Sequence, residues 1–404
     1  MKLLQINTVL NNSSTGKIVD QIGDLCIDNG WESYIAHGRR GGKASSRSKV
    51  IQIGGRLNFY WHALITRIFD KHGFSSTRVT RHLISKIKKI NPTVIHLHNL
   101  HGYYLNVEVL FDYLAKVKIP IIWTLHDCWS FTGHCSHFEY SGCYRWKSLC
   151  YECPQKNLYP ASVFFDNSRA NFYQKKALFN SVENLTIVSV SCWLNSHVNQ
   201  SFLSGYKSVV IHNGIDLDIF KPTFCNKKIK KYKLEGKVII LGVANVWSNE
   251  KGLNDFIRLS KLLNPDFVII LVGVSKQQQK KIPNNIVCME RITSQQKLAE
   301  IYSCADLYLN LTLEDSYPTT NLEAIACGTP VLTYNTGGSV ESIINGCGYV
   351  IDKGDINSVK KNIYDVKNKV LRTPSKGQLL HTARKNFNKN SKFLEYFKLY
   401  NDVL

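Results

Sequence analysis

Short apolar runs alternate with longer amphipathic stretches along the whole chain. Such runs are typical of buried strands, and their alternation with helical segments predicts parallel α/β layers. The strands predicted in the first half are Lys2 to Ile6, Glu32 to Ala36, Val50 to Ile53, Val94 to His98, Ile119 to Leu125 and Leu185 to Val190. Those predicted in the second half are Ser208 to Ile211, Val238 to Val243, Phe267 to Val272, Ile286 to Cys288, Leu307 to Leu311, Pro330 to Tyr334 and Gly348 to Ile351. We therefore expect each half to be a doubly wound sheet that binds ligands at the carboxyl ends of its strands.

The length of 404 residues indicates two domains rather than one. We expect an N-terminal domain at 1–200, a C-terminal domain at 201–385, and a helix at 386–404 that packs back on the first domain. A hydrophobic content of 44% with 20% charged residues is typical of a folded soluble protein. Because Gln5 and Asn7 interrupt the first apolar run and no run approaches the ~20 residues that span a bilayer, we expect a cytoplasmic protein with reduced thiols.

The formal net charge of +21 favours anionic partners: phosphates, nucleic acid or an acidic membrane face. Basic residues concentrate in two places, one in each half. They are Arg78, Arg81, Lys86, Lys88 and Lys89, and then Lys227, Lys228, Lys230, Lys231, Lys233 and Lys237. An aromatic-rich segment, 59–69, precedes the first group. Its side chains either belong to the core or, where exposed, enter a lipid interface whose headgroups meet the basic residues.

The stretch from Glu314 to Val331, with the glycine pair Gly337 and Gly338 shortly after it, is the most informative part of the chain. Pro318 and the polar residues after it predict a turn into a helix N-terminus, where unpaired backbone N–H groups attract phosphate or hydroxyl oxygens. Asp315 precedes this turn and Glu323 lies inside the helix, so both carboxylates can accept hydrogen bonds from hydroxyl groups of one ligand. The alternative is a capped surface helix with two solvated acids.

Together with this stretch, several other segments make the chain resemble glycosyltransferase family 4, and within it the bacterial enzymes of the colanic-acid and O-antigen type. The segments are Ser14 to Val19, Trp123 to Gly133, Val188 to Leu194, Ile211 to Asp216 and Glu250 to Leu253. The resemblance covers nearly the whole chain and implies the GT-B fold, with two Rossmann-like doubly wound domains facing a central crevice. It also implies a retaining hexosyltransferase that needs no cofactor for catalysis. The implied partners are a nucleotide-sugar donor (a UDP-sugar first, a GDP-sugar next), a lipid-diphosphate-linked glycan acceptor, and the anionic inner face of the cytoplasmic membrane.

The resemblance also implies roles for individual residues. Lys251 matches the lysine that meets the donor diphosphate, and His126, followed by Asp127, matches the histidine that faces the donor sugar. Glu323 matches the acid that binds the ribose hydroxyls. The remaining residues expected to bind substrate are Gly16, Tyr317, Pro318, Thr319, Gly337 and Gly338.

This sequence departs from the family pattern in two places. In the family pattern, seven residues separate the first acid of the paired motif from the second. This spacing, counted back from Glu323, selects Asp315 as the first acid, with Glu314 as the alternative. The arginine that often precedes the family lysine by five residues is replaced by Val246. Neutralisation of the diphosphate is therefore expected to depend on Lys251 and a helix N-terminus.

Four of the twelve cysteines, Cys135, Cys143, Cys150 and Cys153, fall within one segment after His126. The final Cys-x-x-Cys predicts a structural zinc site, in which a nearby histidine such as His134 or His137 could replace one sulfur. The alternative is a set of free or buried thiols. This segment is expected to shape the acceptor side.

Two other functions are compatible with parts of the sequence. The basic balance and the cysteine group would suit a nucleic-acid-binding protein, but no basic recognition motif interleaved with aromatic residues is present, so we expect no nucleic-acid partner. Another GT-B enzyme, such as a sugar-nucleotide epimerase, fits the carboxylates and His126 less well than a transferase does.

Overall fold

The structure is a computed structural model, and it describes residues 1–39, 46–223 and 234–404. The chain divides into two compact units. The first comprises Met1–His212 together with Lys392–Leu404, and the second comprises Asn213–Ser391. Most of the second basic group predicted from sequence, Lys227 to Lys233, lies outside the described residues.

The first unit contains one parallel sheet in the order β3-β2-β1-β4-β5-β6-β7. Its strands are β1 (Lys2–Val9), β2 (Glu32–Arg39), β3 (Lys49–Gln52), β4 (Val94–Leu97), β5 (Ile121–Leu125), β6 (Leu185–Ser189) and β7 (Lys207–Val210). Its helices are α1 (Ser13–Asp28), α2 (Arg56–Phe69), α3 (Thr77–Ile90), α4 (Val107–Leu114), α5 (Ser168–Phe179) and α6 (Cys192–Val198). The strand order reverses between β1 and β4, which makes the carboxyl ends of these strands the natural ligand site of this sheet.

The second unit repeats this arrangement with a sheet in the order β10-β9-β8-β11-β12-β13. Its strands are β8 (Val238–Val243), β9 (Phe267–Val272), β10 (Ile286–Met289), β11 (Leu307–Asn310), β12 (Val331–Tyr334) and β13 (Gly348–Ile351). Its helices are α7 (Leu253–Leu262), α8 (Lys276–Gln279), α9 (Gln295–Cys304), α10 (Thr319–Ala326), α11 (Ile356–Lys367) and α12 (Lys376–Asn386), and α13 (Lys389–Asp402) begins in this unit and ends in the first. Here the order reverses between β8 and β11.

One strand lies in a different sheet from the one expected. The sequence pattern places Ser208 to Ile211 in the second half, but β7 pairs in parallel with β6 at the edge of the first sheet. The short helix α6, whose first turn is capped by the Ser191 side chain accepting from the Leu194 N–H, brings the chain directly back to β6. Consecutive strands are usually neighbours, so β7 completes the first sheet instead of starting the second.

The last helix, α13, completes the core of the first unit. Its buried side chains, Phe393, Tyr396, Leu399 and Tyr400, pack in one cluster with residues of β1, β4, β5 and α1. The Tyr400 hydroxyl also lies 2.6 Å from Nδ1 of His96 on β4. Residues more than 300 positions apart in the sequence therefore share one core.

The aromatic-rich segment predicted before the first basic group forms α2, and part of it faces solvent. Leu57, Tyr60, Trp61 and Leu64 are exposed and recur at helical spacing, so they form one continuous face, whereas His62 on the opposite face is buried. We call these four residues the apolar face of α2. Among the described residues, no helix combines the length and the apolar character that crossing a bilayer requires.

Candidate active site

The carboxyl ends of β8, β11 and β12 bring together the charged residues of the second unit. Lys251, in the turn before α7, places its Nζ 2.8 Å from Oδ2 of Asp315 and 3.5 Å from the backbone oxygen of Glu314. The Lys251 side chain is 38% exposed and that of Asp315 is 24% exposed. A ligand can therefore reach this ion pair from solvent.

Close packing of two loops fixes this ion pair. Gly252 has φ +78°, and a Cβ there would lie 2.1 Å from the Leu311 oxygen, so only glycine allows the turn after Lys251 to pack on the end of β11. The Leu313 N–H donates to the Glu250 oxygen at 2.7 Å, which joins the same two loops. The backbone thus sets the position of Lys251 relative to Asp315.

The glycine pair approaches Asp315 from the end of β12. Gly337 has φ +52°, and a Cβ there would lie 1.8 Å from the Asp315 oxygen. The Gly338 N–H donates to that same oxygen at 3.1 Å. The pair opens a 3-10 helix, Gly337–Ser342, and its observed hydrogen bond holds the Asp315 backbone.

Glu323 lies one turn inside α10, whose N-terminal flanking residue is Pro318. Its carboxylate is half-buried and accepts a hydrogen bond from the Tyr302 hydroxyl at 3.1 Å. Burial raises the pKa of Tyr302 well above its usual value, and the neighbouring Glu323 carboxylate raises it further, so the phenol remains a donor. At the start of this helix, the buried Tyr317 donates its N–H to Oδ1 of Asp315 at 3.2 Å, and Thr319 is half-buried.

The two candidates for the first acid differ in position. Asp315 is half-buried and faces Lys251, whereas Glu314 is buried and meets Lys251 through its backbone oxygen. Of the two side chains, that of Asp315 lies at the ion pair.

A cavity of about 550 Å³ lies at the ends of β8, β9 and β10. Val246, at the position where the family arginine is missing, is 68% exposed and lines it. Lys276 and Arg291, which the sequence reasoning did not select, line the same cavity. Each of them follows a strand of this sheet, and this position was the feature of the sequence that could have identified them as site residues.

In the first unit, three predicted residues follow β1 and β5. Gly16 is buried in the first turn of α1, and a Cβ there would lie 3.1 Å from the Asn11 nitrogen, so the glycine lets the loop after β1 fold onto the helix. His126 and Asp127 follow β5 directly. The structure thus places these residues after the carboxyl ends of β1 and β5, where a doubly wound sheet is expected to bind ligands.

His126 belongs to a hydrogen-bonded series that fixes its tautomer. Gln5 donates its side-chain N–H to the Val19 oxygen at 2.8 Å, so its Oε1 is the acceptor that faces Nε2 of His98 at 3.2 Å. His98 therefore carries its proton on Nε2, and its Nδ1 accepts from Nε2 of His126 at 3.2 Å. This leaves Nδ1 of His126 as a hydrogen-bond acceptor.

Both rings of this series are neutral near pH 7. Burial lowers the pKa of His126 to about 4, although Asp127 acts in the opposite direction. Burial also lowers the pKa of His98 well below its usual value, with the neighbouring His96 and His126 adding to the effect. His98 was not selected from the sequence, where it appeared only as the end of a strand.

Asp127 pairs with a second histidine that the sequence reasoning missed. Its Oδ2 lies 2.7 Å from Nε2 of His101, and its Oδ1 accepts from the Trp129 N–H at 2.9 Å. Burial alone would raise the pKa of Asp127, but the nearby His101 lowers it to about 2. Asp127 is thus an ionised carboxylate beside the neutral His126.

The four clustered cysteines, Cys135, Cys143, Cys150 and Cys153, are free thiols that line one small cavity in the loop between β5 and α5. His134 lines the same cavity.

Part of the chain matches a known protein family. Residues 225–391 match the family described as glycosyl transferases group 1. The chain is 24% identical over 369 residues to the colanic acid biosynthesis glycosyl transferase WcaC of Escherichia coli (strain K12), and the alignment covers 88% of each protein. The chain is therefore similar to group 1 glycosyl transferases. Most of its ion-pair site, including Lys251, Asp315 and Glu323, lies in the segment that matches the family.

Solved structures show the fold of this chain. Sucrose-phosphate synthase from Thermosynechococcus elongatus aligns with a TM-score of 0.75 at 14% identity, covering 100% of this chain and 99% of that one. Anabaena Alr3699/HepE in complex with UDP-glucose aligns with a TM-score of 0.69 at 14% identity, covering 100% of both chains. The predicted fold class is confirmed: two parallel Rossmann-like sheets of the GT-B type.

Proposed function

We propose that this protein is a glycosyl transferase that moves a hexose from a UDP-sugar to a hydroxyl group of a lipid-diphosphate-linked glycan, with retention of anomeric configuration, in the synthesis of a bacterial surface polysaccharide. The proposal rests on one observation: the solvent-accessible pair of Lys251 and Asp315 at the switch point of the second sheet. The similarity to WcaC supports a role in polysaccharide synthesis, and the UDP-glucose complex of HepE supports UDP as the nucleotide of the donor.

The ion pair suits the departure of a nucleoside diphosphate. Breaking the anomeric bond places additional negative charge on the leaving phosphate, which a fixed cation stabilises. The Lys251 ammonium has three N–H donors, and its contacts with Asp315 and Glu314 use at most two of them. We assign Lys251 to the diphosphate and Asp315 to a hydroxyl group of the donor sugar.

The remaining site residues receive roles that match their observed chemistry. Glu323, already an acceptor for a hydroxyl group, is assigned to the ribose hydroxyls. The neutral His126 offers Nδ1 as an acceptor and is assigned to a sugar hydroxyl. We assign no general base to the protein, because the leaving phosphate oxygen can accept the proton of the attacking hydroxyl.

The test begins with a thermal-shift panel of UDP, GDP, ADP and CMP and their sugar derivatives. UDP and a UDP-hexose should stabilise the protein by about 2.7 kcal/mol at a hundred times the dissociation constant. Turnover with a lipid-diphosphate-linked acceptor should then give a product whose anomeric configuration, read by NMR, equals that of the donor. Stabilisation by GDP alone would overturn the assignment of a UDP-sugar as donor. A product with inverted configuration would overturn the retaining mechanism.

We also propose that the first unit binds an anionic membrane surface through the apolar face of α2. The segment 163–165, whose three apolar side chains are exposed, lies beside this helix: the Val163 N–H donates to the Arg67 oxygen at 2.7 Å, and the rings of Phe69 and Phe165 stack at 5.8 Å. Between residues 55 and 91 the sole acid, Asp70, is buried, while eight residues are basic. Apolar side chains flanked by cations suit an acidic lipid interface.

Vesicle flotation tests the membrane proposal. The protein should bind vesicles of phosphatidylglycerol and phosphatidylethanolamine, bind phosphatidylcholine vesicles weakly, and lose binding as salt is raised. Trp61→Ser with Leu64→Ser should reduce flotation strongly, whereas Val370→Ser, at a more exposed apolar residue on the second unit, should not. Equal flotation of both variants would refute a role for the apolar face of α2.

A further inference from the structure

We propose that the loop after Asp127 binds one structural zinc ion through the thiolates of Cys135, Cys143, Cys150 and Cys153. Zinc has a strong preference for thiolates, and four sulfurs complete the tetrahedral set of a structural site. All four cysteines line a single cavity of about 20 Å³, which is large enough for one ion. The described structure therefore places every predicted sulfur at one location.

The loop contains little regular secondary structure. Between the end of β5 at Leu125 and the start of α5 at Ser168, its one regular element in the structure is a short 3-10 helix, Arg145–Lys147. Loops of this length inside a compact domain are uncommon unless they are functional or otherwise held. Nevertheless Trp129, Phe131 and Phe138 of this loop are buried, so it is an ordered element. A cross-link within it would account for that order.

The backbone beside the cavity supplies one donor to a sulfur. The Gly133 N–H donates to Sγ of Cys150 at 3.2 Å, a contact that stabilises a negative sulfur. A Cβ on Gly133 would lie 2.7 Å from Cβ of Cys150, so glycine is needed for this approach. The side chains of Cys135 and Cys153 are in hydrogen-bond contact.

A buried histidine provides a second, independent observation. Nδ1 of His134 lies 2.5 Å from Oδ1 of Asp70, and both side chains are fully buried. Nε2 of His134 is also buried and has no hydrogen-bond partner in the structure. Because His134 lines the cysteine cavity, a thiol proton or the ion itself would supply that partner. Since Nδ1–H is the donor to Asp70, Nε2 of the neutral ring is an acceptor beside the cavity, and we assign His134 as a positioning residue next to the four sulfurs.

Binding requires a modest rearrangement. Within the described residues, these sulfurs are not yet gathered into one group with mutual distances under 4.8 Å. Side-chain rotation on the loop must bring them to the ion, and each thiol releases its proton as its sulfur coordinates. Zinc uptake should therefore release protons and tighten the loop.

The experiment measures metal content and thiol chemistry on the full chain. Protein purified with reductant and without chelator should contain one zinc per chain, and titration with an organomercurial should release it as four thiols react. Cobalt added to the reduced metal-free protein should give a thiolate-to-cobalt charge-transfer band with one-to-one stoichiometry. These readouts require no folded variant.

Variants then locate the site. Cys150→Ser and Cys153→Ser should each lose the zinc, while Cys288→Ser, a cysteine of similar partial exposure on the second unit, should keep it. His134→Gln should retain zinc but release it faster to a chelator. The proposal is overturned if the reduced protein binds neither zinc nor cobalt. It is also overturned if the unreduced protein carries disulfides between these cysteines and no metal.

Discussion

The two units use the same strand ends of the same kind of sheet, but the side chains there differ in charge and exposure. In the second unit a lysine and a carboxylate form a half-exposed ion pair, Lys251 with Asp315. In the first unit His126 and His98 are neutral rings hydrogen-bonded to one another. A charged, accessible site suits the anionic leaving group of the proposed reaction, whereas a neutral, fixed acceptor suits an uncharged hydroxyl. The fold fixes where a ligand can bind, and the charge of the side chains at that place determines which chemical group is bound.

Removing the cation of the second unit should have the largest effect. Lys251→Ala should reduce turnover on the order of a hundredfold or more, because the charge that develops on the diphosphate loses its counter-charge. Steady-state kinetics with a UDP-hexose measures this, with Lys261→Ala as a control lysine on the exposed face of α7. Unimpaired turnover of the Lys251 variant would show that another cation, such as Arg291, binds the diphosphate.

The next effect concerns nucleotide affinity. Glu323→Ala should weaken UDP binding by roughly ten- to a hundredfold, because a hydrogen bond to a charged acceptor contributes about 1.5–3 kcal/mol. Isothermal titration with UDP measures the loss, and circular dichroism verifies the fold. Tyr302→Phe, which removes the observed donor to Glu323 but leaves the carboxylate, should cause a smaller change. Unchanged affinity in the Glu323 variant would remove it from the ribose position.

A smaller effect should follow from disturbing the neutral site of the first unit. His98→Ala should lower kcat by about tenfold with little change in UDP affinity, because His126 loses the acceptor that orients its ring. His98→Asn, whose side-chain oxygen can accept in place of Nδ1, should restore part of the activity. Nitrogen chemical shifts of His126 should report a mixture of tautomers in the Ala variant. An unaltered tautomer would show that His98 does not set it.

The smallest effect is a difference in acid stability between the units. Burial lowers the pKa of His62 to about 3 and that of His126 to about 4, and both belong to the first unit. Since the unfolded rings bind protons near pH 6.5, the first unit should lose stability as pH falls from about 6.5 towards 4, and neither ring should affect stability above that range. The melting temperature of the first unit should fall by several degrees.

Tryptophan fluorescence can follow this transition, because Trp247 is the single tryptophan of the second unit among the seven in the chain. A Trp247→Phe variant would report on the first unit alone. His62→Gln should flatten the pH dependence, while His82→Gln on an exposed face should not. Equal acid sensitivity of both units would contradict this difference between them.

The sequence predicted the sheets well because each buried strand is a compact apolar run, but it could not assign every strand. The chain returns to the first sheet at β7 without any change in the apolar pattern, so the sequence did not show where the strands of the first sheet end and those of the second begin. The cation and acids of the second unit lie in local motifs and could be read from sequence. The partners His98 and His101 could not, since their hydrogen bonds join residues that only the fold brings together.

The aromatic segment illustrates the same limit. Its composition was compatible with either core or surface, and only the observed packing of α2 shows that Leu57 and Trp61 are exposed while His62 is buried. Periodicity identifies the faces of a helix, but which face meets the sheet depends on tertiary packing.

The last helix has a consequence for the order of events on the ribosome. Phe393 and Tyr400 fill the core formed around β1, yet they are synthesised after the entire second unit. Domains usually fold as they emerge, the N-terminal one first. Here the first unit must remain with an uncovered apolar surface during translation of nearly 180 intervening residues, from Asn213 to Ser391. The second unit can finish folding before the first one does.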